Sequence, residues 1–413
     1  MGSVSFSKRR GPRRLFRSTA LALAAAVFIL NHCPAMTELR NMPSAVFAES
    51  EEELLERIGA YSPKGLSAAV DSQMNERLGT RSAVLFSPLG LPLKSIPVYV
   101  GERAGLAPGG DPVGISIRTG GVLIVGVGEF RDRSGKSVSP AASAGLKPGD
   151  NIISANGREI SSSQELSRLV SDSPEGVELE IEREGKSMTV RLVPLESQDG
   201  ELRMGAWVRD STVGVGTLSF YEPDTLAFAA LGHPVLDPDT GSLMSVRSGK
   251  LVSANILGVT KGRQGSPGEL HGTFSDEGQR LGSISANTEL GIGGVLEKDA
   301  GEQLSRLAVP LAFPDEVRIG DAVILSSASG RIEEYSCRII RTCRQREPAP
   351  KGLVIEITDE RLLELTGGIV QGMSGSPILQ DGRLVGAVTH VFVNDPRKGY
   401  GAYAYWMYKE FGG

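Results

Sequence analysis

From Met204 to the C-terminus the chain is a succession of short apolar runs cut by glycine. They include Gly214-Val-Gly-Thr-Leu-Ser-Phe220, Leu226-Ala-Phe-Ala-Ala-Leu-Gly-His-Pro-Val235, Leu281-Gly-Ser-Ile-Ser-Ala286 and Leu290-Gly-Ile-Gly-Gly-Val295. Ala322-Val-Ile-Leu325, Val354-Ile-Glu-Ile-Thr-Asp359 and Leu384-Val-Gly-Ala-Val-Thr-His-Val-Phe-Val393 complete the series. Glycine inside a helix costs about 1 kcal/mol relative to alanine, so runs broken this often do not propagate helices. They suit short strands joined by turns, and such strands over residues 200–413 predict one or two packed β-barrels. The 52 glycines and 23 prolines, set against 5% aromatic residues, point the same way. Tyr400–Tyr408 is aromatic-rich and reads as a closing strand or helix. At 413 residues the chain has room for two or three domains.

The other end is different. Lys8, Arg9, Arg10, Arg13, Arg14 and Arg17 precede the apolar run Ala20–Leu30, with no acid among the first 17 residues. A basic flank and a short apolar core form the pattern of an export signal. A spanning helix wants about 20 residues. Residues 1–48 therefore read as a signal peptide or membrane anchor, with small-residue cleavage points ending at Ala35 and Ala48. The basic end stays cytoplasmic and the body is exported. Without those six cations the body carries 38 basic and 49 acidic residues. That balance excludes the basic face of a nucleic-acid binder. Residues 49–106 read as a linker, helical over Glu51–Ile58 and otherwise loose, with Leu91–Val100 extended. Exposed segments of this kind suit proteolytic trimming.

Residues 107–194 carry a distinct pattern. Val113-Gly-Ile-Ser-Ile117 and Gly121-Val-Leu-Ile-Val-Gly-Val127 read as strands. Ser161–Leu169 reads as a serine-capped helix. Val177–Arg183 and Ser187–Val193 alternate as a pair of strands. Between them lies Ala144-Gly-Leu-Lys-Pro-Gly-Asp-Asn-Ile-Ile-Ser-Ala-Asn-Gly157. This run resembles the PDZ domains of bacterial proteases. The resemblance implies a peptide groove beside Gly114, Ile115, Ser116 and Ile117, where a bound segment would add a strand.

The chemistry concentrates in Gly372-Met-Ser-Gly-Ser-Pro377, which resembles the serine signature of chymotrypsin-like proteases. Glycine before Ser374 lets the backbone turn and aim N–H groups at an oxyanion; glycine after it leaves room for a carbonyl. The N–H groups of Gly372 and Ser374 are the natural oxyanion donors. A serine nucleophile needs a base and a group that orients the base. Outside the export segment the histidines are His233, His271 and His390. His233 sits between glycine and proline at the end of an apolar run, a corner that presents an imidazole. His390 reads as a wall of the specificity pocket, where an imidazole would favour an acidic substrate side chain. His271 reads as a loop residue. Asp359, 15 residues before Ser374, is the first candidate for the orienting carboxylate. Asp237 and Asp239 are rivals; Asp276 and Asp321 are weaker.

Leu231-Gly-His-Pro-Val235, Gly367-Gly-Ile-Val-Gln-Gly-Met-Ser-Gly-Ser-Pro377, the order His233, Asp359, Ser374, the upstream PDZ-like unit and the basic N-terminus together resemble the SpoIVB peptidase family of endospore-forming bacteria. The resemblance implies a mainly β fold with some α. A signal or anchor helix is followed by a PDZ domain and a chymotrypsin-like β-barrel serine peptidase. It also places the family's catalytic histidine, aspartate and serine at His233, Asp359 and Ser374. The implied function is an exported endopeptidase of sporulation that cleaves itself and then a membrane-bound inhibitory partner. That cleavage releases an intramembrane protease, which processes a late mother-cell sigma factor. The other class of reading is a non-catalytic PDZ protein that senses a peptide. Two departures from trypsin-like enzymes stand out. The Asp-to-Ser spacing is short, and Met373 replaces the aspartate that pairs with a freed N-terminus. No cofactor is expected, because no cluster has metal-ligand spacing and no phosphate loop is present. Cys337 and Cys343, six apart on one strand, would lie about 20 Å apart and read as free thiols.

Overall fold

The computed structural model describes residues 42–61, 67–70, 81–86, 92–274 and 279–412. The export segment up to residue 41, with Ala35, lies outside the described residues, as does Asp276. The chain forms two compact units, residues 1–102 with 344–347, and residues 103–343 with 348–413.

In the first unit β1 (Val46–Ala48), β2 (Ser67–Val70), β3 (Arg81–Phe86) and β4 (Pro92–Val100) form one sheet in the order β1-β4-β3-β2, joined by α1 (Glu51–Tyr61). This corrects the expectation of a loose linker. Leu54 and Ile58 lie one turn apart on α1, and Ile96 and Val98 share one face of β4. All four are buried in one cluster with Val46 and Leu85. Ala48, an expected cleavage point, is fully buried in β1.

The second unit is organised by two sixteen-residue strands, β5 (Pro112–Val127) and β9 (Ala206–Tyr221). They pair antiparallel from Val127↔Ala206 to Pro112↔Thr217. Between them come β6 (Asn151–Ala155), α2 (Ser163–Ser171), β7 (Val177–Arg183) and β8 (Lys186–Leu192). Ser162 caps α2, its hydroxyl accepting from Glu165 N–H. The two ends of the ribbon belong to different cores. Val122 and Ile124 pack with Ile152, Leu166, Leu179 and Ile181. Val113, Ile115, Ile117 and Leu218 pack with Phe228, Leu251, Ile284 and Ile292.

The second of these cores fills a barrel. β10 (Ala227–Ala230), β11 (Ser248–Ser253), β12 (Arg280–Thr288) and β13 (Gly291–Leu296) complete a ring of six in the order β5-β11-β12-β13-β10-β9, closed by β9 on β5. The expected division into PDZ (107–194) and peptidase (200–413) is therefore corrected. The PDZ-like sheet β5-β6-β7-β8 is an insertion into the first barrel, and residues 113–118 of β5 are barrel.

A second barrel follows. β14 (Gly320–Ser326), β15 (Glu333–Thr342), β16 (Leu353–Ile357), β17 (Pro377–Gln380), β18 (Arg383–Val391) and β19 (Lys398–Tyr403) close in the order β14-β15-β16-β19-β18-β17. Helix α3 (Glu360–Thr366) leads to the serine turn before β17, and α4 (Ala404–Phe411) ends the described chain. The aromatic C-terminal stretch is thus a strand and a helix, with Trp406 buried. Cys337 and Cys343 are free thiols, and burial pushes the Cys337 thiol up to about 12.

Candidate active site

His233 and Ser374 come from different barrels and line one cavity of about 490 Å³. His233 follows β10. Its approach is strained. Leu231 has φ 72°, and Gly232 N–H donates to Ala230 O at 3.0 Å. Together these describe a γ-turn with a non-glycine residue in the left-handed region, a conformation proteins keep where the surroundings enforce it. The His233 Nδ1 lies 3.0 Å from Pro234 O. A carbonyl only accepts, so Nδ1 carries the proton and Nε2 keeps its lone pair. Burial holds the imidazole below its ordinary pKa, so it is neutral near pH 7.

Ser374 sits in the turn before β17. Gly375, φ 99°, is required there: a Cβ would lie 2.1 Å from Thr217 O and 2.8 Å from Leu231 N. The turn is thus pressed against both the ribbon strand β9 and the γ-turn. The Ser374 hydroxyl donates to Thr389 O at 2.8 Å. Among the described residues, the N–H groups of Gly372 and Ser374 meet no protein acceptor. Each lies in a peptide plane whose carbonyl is pinned. Gln371 O accepts from Leu270 N–H at 2.9 Å, and Met373 O accepts from Ser376 N–H at 3.0 Å. Because a peptide unit is planar, pinning its C=O fixes the direction of its N–H. Met373 itself is fully buried.

His390, on β18, lines the same cavity. Its ring lies 4.9 Å from that of His233, centroid to centroid. Part of it is accessible to solvent, yet burial of the rest, then His233, then Lys351, push its pKa to about 4. The other walls are largely apolar and include Val213, Ile369, Val370 and Val393. His271 lies on the strand Glu269–Thr273, its ring 2.6 Å from Thr260 Oγ1.

The structure does not bring Asp359 to His233. Asp359 is the N-cap of α3 and accepts from Arg361 N–H at 3.0 Å, from Ser336 N–H at 3.2 Å and from the Arg361 guanidinium at 2.9 Å. Arg361 holds its carboxyl below the usual carboxylate range. The rivals are also engaged elsewhere. Asp237 is fully buried and bonded to Arg209 and Thr240; Asp239 pairs with Arg209 at 2.7 Å. Asp321 is exposed, 4.0 Å from Arg338. No acidic side chain lines the cavity among the described residues. What holds His233 is a backbone carbonyl, which residue types alone do not reveal.

The PDZ-like end also departs from expectation. Gly114, Ile115, Ser116 and Ile117 pair with Thr212–Val215 of β9 on one edge and with Gly249–Val252 of β11 on the other. Neither edge is open to an added strand. The free edge lies on β9 instead. Ala206–Val208 pair with β5 on one side only, and across a cleft of about 810 Å³ stand Ser163, Leu166, Ser167 and Val170 of α2. Met204 and Gly205, the latter at φ 74°, precede that strand and line the same cleft.

A family profile described as SpoIVB peptidase S55 matches residues 200–408, and one described as a PDZ domain matches residues 133–183. A probable periplasmic serine endoprotease DegP-like of Pseudomonas savastanoi pv. phaseolicola is 31% identical over 137 residues, 30% of this chain and 29% of that one. A putative zinc metalloprotease of Brucella suis is 29% identical over 126 residues, 29% of this chain and 32% of that one. The chain thus spans about three tenths of the length of these curated relatives. Among solved structures, the Rv3671c protease in its inactive form is 15% identical over 48% of this chain and 85% of that one, with TM-score 0.27. The HtrA-type protease AlgW with a tripeptide is 12% identical over 48% of this chain and 54% of that one, with TM-score 0.29.

Proposed function

The chain belongs to the SpoIVB peptidase S55 family, and from that premise we propose that it is an exported serine endopeptidase of sporulation signalling. It acts between the forespore and mother-cell membranes, anchored there until it is trimmed. It cuts itself and then a membrane-bound inhibitory partner, which frees an intramembrane protease to process a late mother-cell sigma factor. The basic and apolar N-terminus, the PDZ-like insertion and the family match support this reading.

The observation that carries the chemistry is the meeting of His233 and Ser374 on one cavity, with Nδ1–H held by Pro234 O. Ser374 is the nucleophile. Its hydroxyl turns from Thr389 O to His233 Nε2, which takes the proton as Oγ attacks the scissile carbonyl. The N–H groups of Gly372 and Ser374 receive the oxyanion. The proton on His233 then passes to the leaving amine, and water hydrolyses the acyl-enzyme by the same route. The Pro234 carbonyl does the orienting, so the site works as a Ser–His dyad. His390 borders the substrate, where the negative charge of a carboxylate side chain would raise the imidazole's pKa and let it take a proton from solvent. A peptide docks on the PDZ-like insertion by adding a strand to Ala206–Val208 opposite α2.

Self-cleavage and labelling of Ser374 by a fluorophosphonate test the reading, with wild type beside Ser374→Ala, His233→Ala and Asp359→Ala. Cutting and labelling that vanish in the first two variants support it. Identical trimming of all four proteins would sink it and favour a peptide-sensing role.

A further inference from the structure

Thr217 lies where three parts of the site meet. It is on β9, 2% exposed, 155 residues before Gly372 in the chain. Its N–H donates to Ser374 O at 3.0 Å. Its hydroxyl donates to Gly372 O at 2.8 Å. Its carbonyl accepts from Leu231 N–H at 3.3 Å, a longer bond to the γ-turn that precedes His233. The first two bonds bracket the Gly372-Met-Ser374 turn. The peptide joining Gly372 to Met373 is thereby held at both ends, since Met373 N–H donates to Val370 O at 3.1 Å. That peptide separates the two units that carry the Gly372 and Ser374 N–H groups. Its rotation would swing one or both of them.

We propose that Thr217 is a positioning residue for the peptidase reaction: its hydroxyl sets the nucleophile turn so that the Gly372 and Ser374 N–H groups converge on the oxyanion, while its backbone ties that turn to the corner presenting His233. The proposal rests on the serine-peptidase reading. Any residue but proline at 217 supplies the backbone bonds, which would hold the turn against the barrel. Only a hydroxyl supplies the bond to Gly372 O. A half-buried carbonyl that loses its donor rotates toward another partner where one exists. The rate should suffer more than binding, because the oxyanion donors matter only once charge develops on the substrate oxygen.

The experiment uses the full chain with a peptide ester substrate and a fluorophosphonate probe. Wild type is compared with Thr217→Val, which keeps the branched shape and the N–H, with Thr217→Ser, which keeps the hydroxyl, and with Ser374→Ala. All are assayed below their melting midpoints. Thr217→Val is expected to lower kcat and the labelling rate by about 10- to 100-fold with KM within about twofold of wild type. Thr217→Ser should recover most of the loss. Labelling of Thr217→Val at the wild-type rate overturns the proposal, as does a loss that Thr217→Ser does not restore. Should Thr217→Val fail to fold, Thr217→Ala carries the same test with no side-chain donor, and a wild-type rate there overturns the proposal. If wild type labels no better than Ser374→Ala, the serine-peptidase reading itself fails, and this inference falls with it.

Discussion

The two barrels have six strands each, but the chain reaches them in different ways. The second takes all six of its strands in one passage from Gly320 to Tyr403, which leaves only at residues 344–347 for the first unit. The first opens with β5, leaves to build a PDZ-like insertion, and returns on β9 some 80 residues later. They also present the proposed catalytic groups differently. The second barrel offers Ser374 from a turn that glycine permits, whereas the first offers His233 from a turn that Leu231 adopts against its preference. The local motif makes the proposed nucleophile's turn; the packing of Thr217 and Leu231 of the first barrel against Gly375 of the second makes the proposed base's corner. The same contrast runs through the acids. Asp359 belongs to the second barrel and caps a helix there, while Asp237 belongs to the first and closes its own loop.

The largest expected effect tests which barrel supplies chemistry beyond Ser374. His233→Ala should lower kcat/KM by about 10³-fold. Asp359→Asn keeps an N-cap acceptor and should stay within about threefold of wild type. Steady-state kinetics on a peptide ester checks both. An Asp359→Asn loss matching that of His233→Ala would place the carboxylate in the mechanism and break the contrast.

The seam between the barrels comes next. Gly375→Ala forces a Cβ onto Thr217 O at a positive φ, and should destabilise the fold by about 3 kcal/mol or more. Gly214→Ala, with open space around its Cβ, should change stability by less than about 1 kcal/mol. Urea denaturation of the two variants measures the difference. Equal midpoints would mean that the serine turn is not pressed on the first barrel.

The insertion gives a smaller effect. Ser167 is exposed on α2 at the cleft beside Ala206–Val208. Ser167→Arg should weaken binding of an apolar C-terminal peptide about tenfold by filling the path of the added strand. Ser116→Ala, on a strand paired on both edges, should leave it unchanged. Fluorescence polarisation reads both, and the opposite ranking would return the groove to Gly114–Ile117.

The smallest effect is in pH. The folded pKa of His390 is about 4, below the ordinary value of 6.5, so between these values the unfolded chain binds the extra proton. Stability should therefore rise with pH across that window. His390→Asn should flatten the rise, measured as the melting midpoint from pH 4 to 7. A slope unchanged by the substitution would show that His390 is not held neutral in the cavity. Activity should follow His233 in the same sense, its acid limb falling below the ordinary imidazole value.

Much of this was legible in residues whose role is local. Gly372-Met-Ser-Gly375 specifies a turn because glycines reach the conformations it needs, and the glycine-cut apolar runs specify short strands. The run Ala144–Gly157 marked the PDZ-like insertion. The sequence also brought forward Asp359 and Gly114–Ile117, each plausible from its neighbours along the chain. The structure engages Asp359 with Arg361 and Ser336, and buries Gly114–Ile117 between two strands. A carboxylate takes the nearest donors it can reach, and α3 supplies three from Arg361 alone. An apolar strand reads the same whether it borders a groove or fills a barrel.

The amino-acid sequence by itself determined where the chain turns, which runs are strands, and that Ser374 stands in a turn able to present a nucleophile. Those choices depend on φ and ψ and on apolar periodicity within a few residues. Tertiary structure alone decided that β5 and β9 serve two cores, that Pro234 O rather than an aspartate holds His233, and that Thr217 clamps a turn 155 residues away. Those choices depend on which backbones come into contact once the barrels close. No local pattern encodes them, because every residue offers the same N–H and C=O until packing selects its partner.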